Sequence, residues 1–258
     1  LHKAISDRFK AVPLSIFVAL LCLAGWSASA RAQQSGEYGR LQSFGISTSY
    51  SPDSSHILIG MSEQRRTWFA GFEYTRRIGS TRHVRWDYEG SILPFYLESD
   101  PTLIGTEVTV GSKTFTTSQA PQRLVAVPRG PVGTDTTGNG APVPVYAIPV
   151  YAILGRENTY AGGLAPLGAR ATWFRQYRIQ PSFAVDLGFI VSPRDIPIDD
   201  TDRFNFMFCF GPGVQIFSNA HSSLRLEYLY HHISNGHLGA ENPGVDQGVF
   251  RLTLSRHR

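Results

Sequence analysis

The sequence predicts an all-β fold, an eight-stranded antiparallel transmembrane β-barrel, from three observations. Segments of about ten residues alternate between apolar and polar positions, which is the period of a strand with two unlike faces. The polar faces carry charges of both signs, as a paired lumen does. The spacers between segments alternate short and long, as the two ends of an outer-membrane barrel require.

Residues 1–32 come first and are set aside. Lys3, Arg8 and Lys10 precede an apolar run from Val12 to Trp26 and a small-x-small ending at Ala30-Arg31-Ala32, the order of a secretory signal peptide cleaved after Ala32. The leader takes four of the 24 basic and one of the 20 acidic side chains with it, so most of the net charge of +4 is its own. The remainder is near neutral and points to no nucleic-acid partner. Cys22 leaves as well, and Cys209 alone forms no internal disulfide.

The strands follow at about 41–50, 66–77, 83–97, 163–175, 180–192, 203–217, 222–234 and 246–256. In the first, Phe44 and Ile46 oppose Ser43, Gly45 and Ser47. In the second, Trp68, Ala70, Phe72 and Tyr74 oppose Gly71, Glu73 and Thr75; in the third, Val84, Trp86 and Tyr88 oppose Arg85, Asp87 and Glu89. Leu167, Ala169, Ala171 and Trp173 oppose Gly168, Arg170 and Thr172, and the row from Phe183 to Val191 opposes Ser182, Ala184 and Asp186. Phe204, Phe206, Phe208 and Phe210 form one aromatic row against Arg203, Asn205, Met207 and Cys209. Leu224, Leu226, Tyr228 and Tyr230 oppose Arg225 and Glu227, and Phe250, Leu252 and Leu254 oppose Arg251, Thr253 and Ser255.

A soluble sandwich or lipocalin-like barrel also alternates, with its apolar face inward, so the period alone does not choose. The charged rows and the Trp and Tyr at strand ends favour the membrane barrel, with charges inside and aromatic girdles outside. Residues 33–258 are then one barrel. Its largest insertion, about 100–160, is rich in Pro, Gly and Thr and repeats PVYAI at 144–148 and 149–153. Proline at this density disfavours a central strand, so the insertion reads as an external excursion with room for a short hairpin.

Parity then divides the polar stretch HHISNGHLGAENPGVDQ, residues 231–247. His232 and Ser234 continue the outward row of Tyr228 and Tyr230, whereas His231 shares the lumen row of Arg225 and Glu227. Asp246 extends the outward row of Phe250, Leu252 and Leu254. Pairing across a loop centred near Ala240 brings Ser234 near Asp246 and His232 near Gly248. Residues two apart on a strand lie about 6.5–7 Å apart, within reach of an imidazole leaning along the strand. A chance His-x-Ser pair at a barrel mouth is the bland alternative. An ionisable group on a lipid-facing row is costly, however, and marks a candidate site for a serine nucleophile, its base and an orienting acid.

The segment His232-Ile233-Ser234-Asn235, followed by Asn242-Pro243-Gly244-Val245-Asp246, resembles the C-terminal signature of the PagL family of outer-membrane lipid A 3-O-deacylases. That resemblance implies an eight-stranded barrel with its triad facing the outer leaflet of the Gram-negative outer membrane. It implies Ser234 as nucleophile, His232 as general base and Asp246 as the acid, which is usually glutamate in the family. Asn235, Gly236 and Asn242 are the oxyanion candidates.

The expected activity is hydrolysis of the 3-O-linked acyl chain of lipid A in lipopolysaccharide by a serine esterase with no cofactor and no metal. The expected partners are lipopolysaccharide as substrate and outer-membrane lipid, with a homodimer left open. A noncatalytic barrel serving adhesion or envelope integrity, and an acyl hydrolase acting on phospholipid, are the rival readings.

Overall fold

The structure, a computed structural model, describes residues 38–136 and 147–258. The leader and its cleavage point lie outside the described residues. So does most of the first PVYAI copy.

Ten antiparallel strands run in chain order: β1 Gln42–Ser51, β2 Arg66–Ser80, β3 Val84–Val110, β4 Lys113–Arg123 and β5 Gly133–Thr136, then β6 Ala147–Trp173, β7 Ile179–Ile196, β8 Asp202–Asn219, β9 Ser222–Ser234 and β10 Val245–His257. Eight of them close a ring. Each of β6 to β10 pairs with the next, β10 pairs with β1, β1 with β2, β2 with β3, and β3 with β6. Closure leaves the barrel no unpaired edge, as backbone in a hydrocarbon layer demands. The eight expected strands are these eight, and the connections at 81–83, 174–178 and 220–221 are short.

The insertion departs from expectation. Most of it is strand, because β3 and β6 continue upward as 27-residue strands, each roughly 90 Å long at ~3.3 Å per residue. β2 leaves β3 after Ser99, and β4 takes its place from Thr102. On the other side β7 leaves β6 beyond Gly162, and β5 joins higher up at 147–150. The prolines do not prevent this, since Pro101, Pro121 and Pro149 each lack a paired partner on at least one side. Pro101 lies at the changeover from β2 to β4, Pro121 in the bulge between Ser118 and Gln122, and Pro149 beyond the last rung of β3 with β6. A missing N–H costs nothing at a rung that does not exist.

Alternation holds around the ring. Phe44, Ile46, Trp68, Phe72, Trp86, Leu187, Phe206, Phe250, Leu252 and Leu254 are exposed on the outside, the arrangement of a transmembrane barrel.

The lumen is filled in two layers. In the lower layer Arg225 bonds to Glu73, Glu89 and Glu227, Arg170 to Glu89 and Glu227, and Arg251 to Asp186. The upper layer is apolar, with Phe69, Tyr96, Leu229, Ile233, Val245 and Val249 packed together. His231 belongs to it, stacked on Phe69 with ring centroids 5.3 Å apart.

Removing one cation from such a layer leaves buried carboxylates uncompensated. Arg225→Ala is expected to destabilise the barrel by about 3–5 kcal/mol, measured by urea unfolding in lipid vesicles. An unchanged unfolding midpoint would show that the ionic layer is not what holds the lumen together.

Candidate active site

The site forms at the upper, outer edge where β9 ends and β10 begins. His232 on β9 faces Asp246 on β10 directly across the ladder, and Ile233 pairs with Val245. The expected register, Ser234 near Asp246 and His232 near Gly248, is therefore corrected by two residues, which keeps every side chain on its expected face. Gly236 and His237 both adopt left-handed backbone, φ 62° and 64°, and turn the chain back immediately after Ser234. Asn235 sets this turn: its Oδ1 accepts from His237 N at 2.9 Å, its Nδ2 donates to Glu241 O at 2.8 Å, and its N–H reaches Asn242 Oδ1 at 3.2 Å. The shift places His232 between the other two groups, with Ser234 two residues along its own strand.

Asp246 is fully buried and accepts four hydrogen bonds. Oδ1 takes the Tyr230 hydroxyl at 2.7 Å and His232 Nδ1 at 2.7 Å. Oδ2 takes the backbone N–H groups of Leu58 and Ile59 at 2.7 and 2.9 Å. The shorter acid thus reaches the imidazole. With Nδ1 engaged as donor, Nε2 is left with a free lone pair, the tautomer a general base requires. The Ser234 hydroxyl oxygen accepts from Gly236 N at 3.1 Å.

Of the three oxyanion candidates, Gly236 donates its N–H to the Ser234 hydroxyl oxygen, Asn235 donates its N–H and Nδ2 within the loop, and Asn242 accepts there through Oδ1. His231, His232 and His237 point three ways: into the lumen, outward, and from an exposed turn. Among the described residues no cluster of His, Cys, Asp or Glu has the make-up of a metal site.

The loop between β1 and β2 was not foreseen as part of the site. It folds over the start of β10, with Met61 N bonded to Pro243 O at 2.7 Å, Ser62 N to Gly244 O at 3.1 Å and Ser55 N to Asp246 O at 3.2 Å. Its base is pinned by the buried Arg65, which pairs with Asp100 at 3.1 Å and Glu98 at 3.4 Å. Gly60 is required by proximity: a Cβ there would lie 2.6 Å from Asp246 N and 2.7 Å from Oδ1. Backbone donors carry no residue signature, and this glycine was the only sequence mark of the contact.

Beside Ser234 on the neighbouring strand stands Phe206, directly opposite in the β8–β9 ladder and 51 % exposed. Phe204 packs edge-on against it at 5.2 Å and stacks on Phe189 at 5.2 Å. An apolar aromatic surface therefore flanks the hydroxyl on the outside of the barrel.

Asn235→Ala removes two of the bonds that close the β9–β10 turn. It is expected to cost about 1–3 kcal/mol and to speed amide exchange at Gly236 and His237 before the barrel strands exchange. Exchange unchanged at those two amides would refute this role.

A family model described as lipid A 3-O-deacylase (PagL) matches residues 164–255. No curated protein matches the chain. Among solved structures, that of the outer membrane enzyme PagL aligns at 12 % identity and a TM-score of 0.42, covering 81 % of this chain and 97 % of that one. The outer membrane protein OprG from Pseudomonas aeruginosa aligns at 11 % identity and a TM-score of 0.41, covering 86 % and 99 %. The matched residues 164–255 hold His232, Ser234 and Asp246, so the likeness to the lipid A 3-O-deacylase (PagL) model spans the whole candidate site.

Proposed function

We propose that the chain is an outer-membrane serine esterase that removes the 3-O-linked acyl chain of lipid A, with its site facing the outer leaflet. The observation that carries the reading is the His232 Nδ1 to Asp246 Oδ1 contact of 2.7 Å, made on the lipid-facing side with Ser234 next on the same row. A buried carboxylate and an imidazole on that face are costly to hold, which makes them a candidate for chemistry there.

In this mechanism Asp246 holds the His232 ring with Nε2 toward Ser234. Nε2 takes the hydroxyl proton as the serine oxygen attacks the ester carbonyl. The oxyanion that forms is stabilised by the Gly236 N–H, already directed at this region. The C–O bond to the sugar breaks, His232 returns its proton to the departing 3-hydroxyl, and the acyl chain stays on Ser234. Water, deprotonated by His232, then attacks the acyl-enzyme and releases the fatty acid, restoring the serine hydroxyl. The acyl chain lies along Phe206 and its aromatic neighbours, so an apolar chain is favoured over a polar one.

Mass spectrometry of lipid A after incubation with refolded protein tests the activity. Wild type is expected to remove a single hydroxyacyl mass. Ser234→Ala and His232→Ala are expected to lose on the order of 10³-fold or more, and Asp246→Asn a comparable amount through the wrong tautomer. Turnover of phospholipid but of no lipopolysaccharide would replace the substrate assignment, and no turnover by a folded barrel would remove the enzyme reading altogether.

His231→Ala separates the two histidines. It is expected to keep most of the activity while losing about 2–4 kcal/mol of stability from the upper lumen. Asp246→Glu, though it restores the family's usual acid, is expected to slow turnover about tenfold because the longer arm collides with the loop at Gly60.

A further inference from the structure

The loop that holds Asp246 has a second property. Leu58 and Ile59, whose backbone N–H groups bond the acid, have side chains 60 % and 66 % exposed, and Ile57 and Met61 beside them are also exposed. Four large apolar side chains on one loop tip form a patch that a water-facing surface does not ordinarily carry. The tip is not loose. Met61 and Ser62 are bonded to Pro243 and Gly244, and His56 Nδ1 contacts Gly60 O at 2.5 Å, so the side chains are held outward by a fixed backbone.

We propose that this tip seats among the acyl chains of the outer leaflet, and that its seating keeps the Leu58 and Ile59 amides on Asp246, so that lipid engagement completes the catalytic site. The kinetic half of this rests on the deacylase reading. The seating itself rests on the loop alone.

The occupant is identified by continuity and by charge. The tip adjoins the lipid-facing rows through Tyr50 at the end of β1 and Phe250 on β10, both exposed. From Ile57 to Ser62 the loop has no charged side chain, so it offers nothing to a phosphate or an acidic partner. On the far side of Ser234 stand Phe206 and the exposed Leu238, so the nucleophile lies between two apolar shoulders. Burying the tip in lipid favours the docked loop over any loop conformation that releases Asp246.

The test uses the full chain in lipid nanodiscs. Leu58→Cys and a control, Thr134→Cys on β5, are labelled with an environment-sensitive fluorophore; Cys209 is buried. The label at 58 is expected to shift to the blue and to be quenched by lipids carrying a nitroxide on the acyl chain, and the label at 134 to do neither. Water-like, unquenched emission at 58 overturns the seating.

Two variants then separate seating from orientation. Replacing Ile57, Leu58 and Ile59 together by serine is expected to raise KM for lipopolysaccharide about tenfold and to lower kcat about tenfold as well, because the unseated loop no longer holds its amides on Asp246. Gly60→Ala is expected to lower kcat by on the order of 10²-fold, more than it raises KM, because the added Cβ displaces the amides from Asp246. A folded serine variant with unchanged kcat overturns the coupling, and one with unchanged KM overturns the seating.

The Nδ1–H resonance of His232, in protein carrying nitrogen-labelled histidine, reads the coupling without turnover. It is expected in wild type and lost in both variants, and its persistence in the serine variant overturns the coupling. A blue-shifted label and an intact His232 resonance in a protein that cleaves no lipid would support the loop's role and defeat the deacylase reading instead.

Discussion

A carboxylate on the outward row of a membrane barrel has little water to solvate it, and four donors must do so for Asp246. Two come from the loop between β1 and β2, one from Tyr230 two residues before His232, and one from His232 itself. The rest of the site follows from that demand. The loop must fold down over β10 to deliver its amides, which fixes Gly60 against the Asp246 backbone. The turn after Ser234 must bring β10 back two residues early, so that the acid and the imidazole stand opposite each other. Once Asp246 is satisfied, His232 has a defined tautomer, with Nδ1 bound to the acid.

The lumen supplies the rigidity this geometry needs. His231 and His232 are adjacent in sequence, yet one ring packs on Phe69 and Tyr96 in a closed apolar layer while the other stacks parallel to Tyr230 on the outside. Strand alternation separates them without any specific contact between the two. The ionic layer below, in which Arg225 alone meets three carboxylates, cross-links β2, β3 and β9 through the barrel axis. A site on the barrel wall is thereby anchored from behind.

How much of this was legible depends on which force sets each feature. Parity was legible, because Phe204 to Phe210 or Leu224 to Tyr230 can face only one way if the opposite row holds arginine and glutamate. The register of β9 against β10 was not, because it depends on left-handed backbone at Gly236 and His237 and on the side-chain bonds of Asn235, and a residue count across the loop misses both. The strands within 100–160 were hidden by Pro101, Pro121 and Pro149, which signal breaks in pairing without showing that the same strand resumes past each break. The Leu58 and Ile59 amides were invisible in principle, since any residue but proline supplies the same donor.

Acid length and loop position are one constraint rather than two. A glutamate would carry its carboxylate one methylene further from the strand. An aspartate at the same rung holds its carboxylate close to the β10 backbone, where Oδ2 is left facing the space that the β1–β2 loop fills. A Cβ at position 60 would lie 2.6 Å from Asp246 N and 2.7 Å from Oδ1, so the loop closes down to where only glycine fits. In this chain the hold on the His232 ring is therefore divided: part lies in the Asp246 side chain on β10, and part in the backbone of a loop whose Leu58 and Ile59 side chains are exposed.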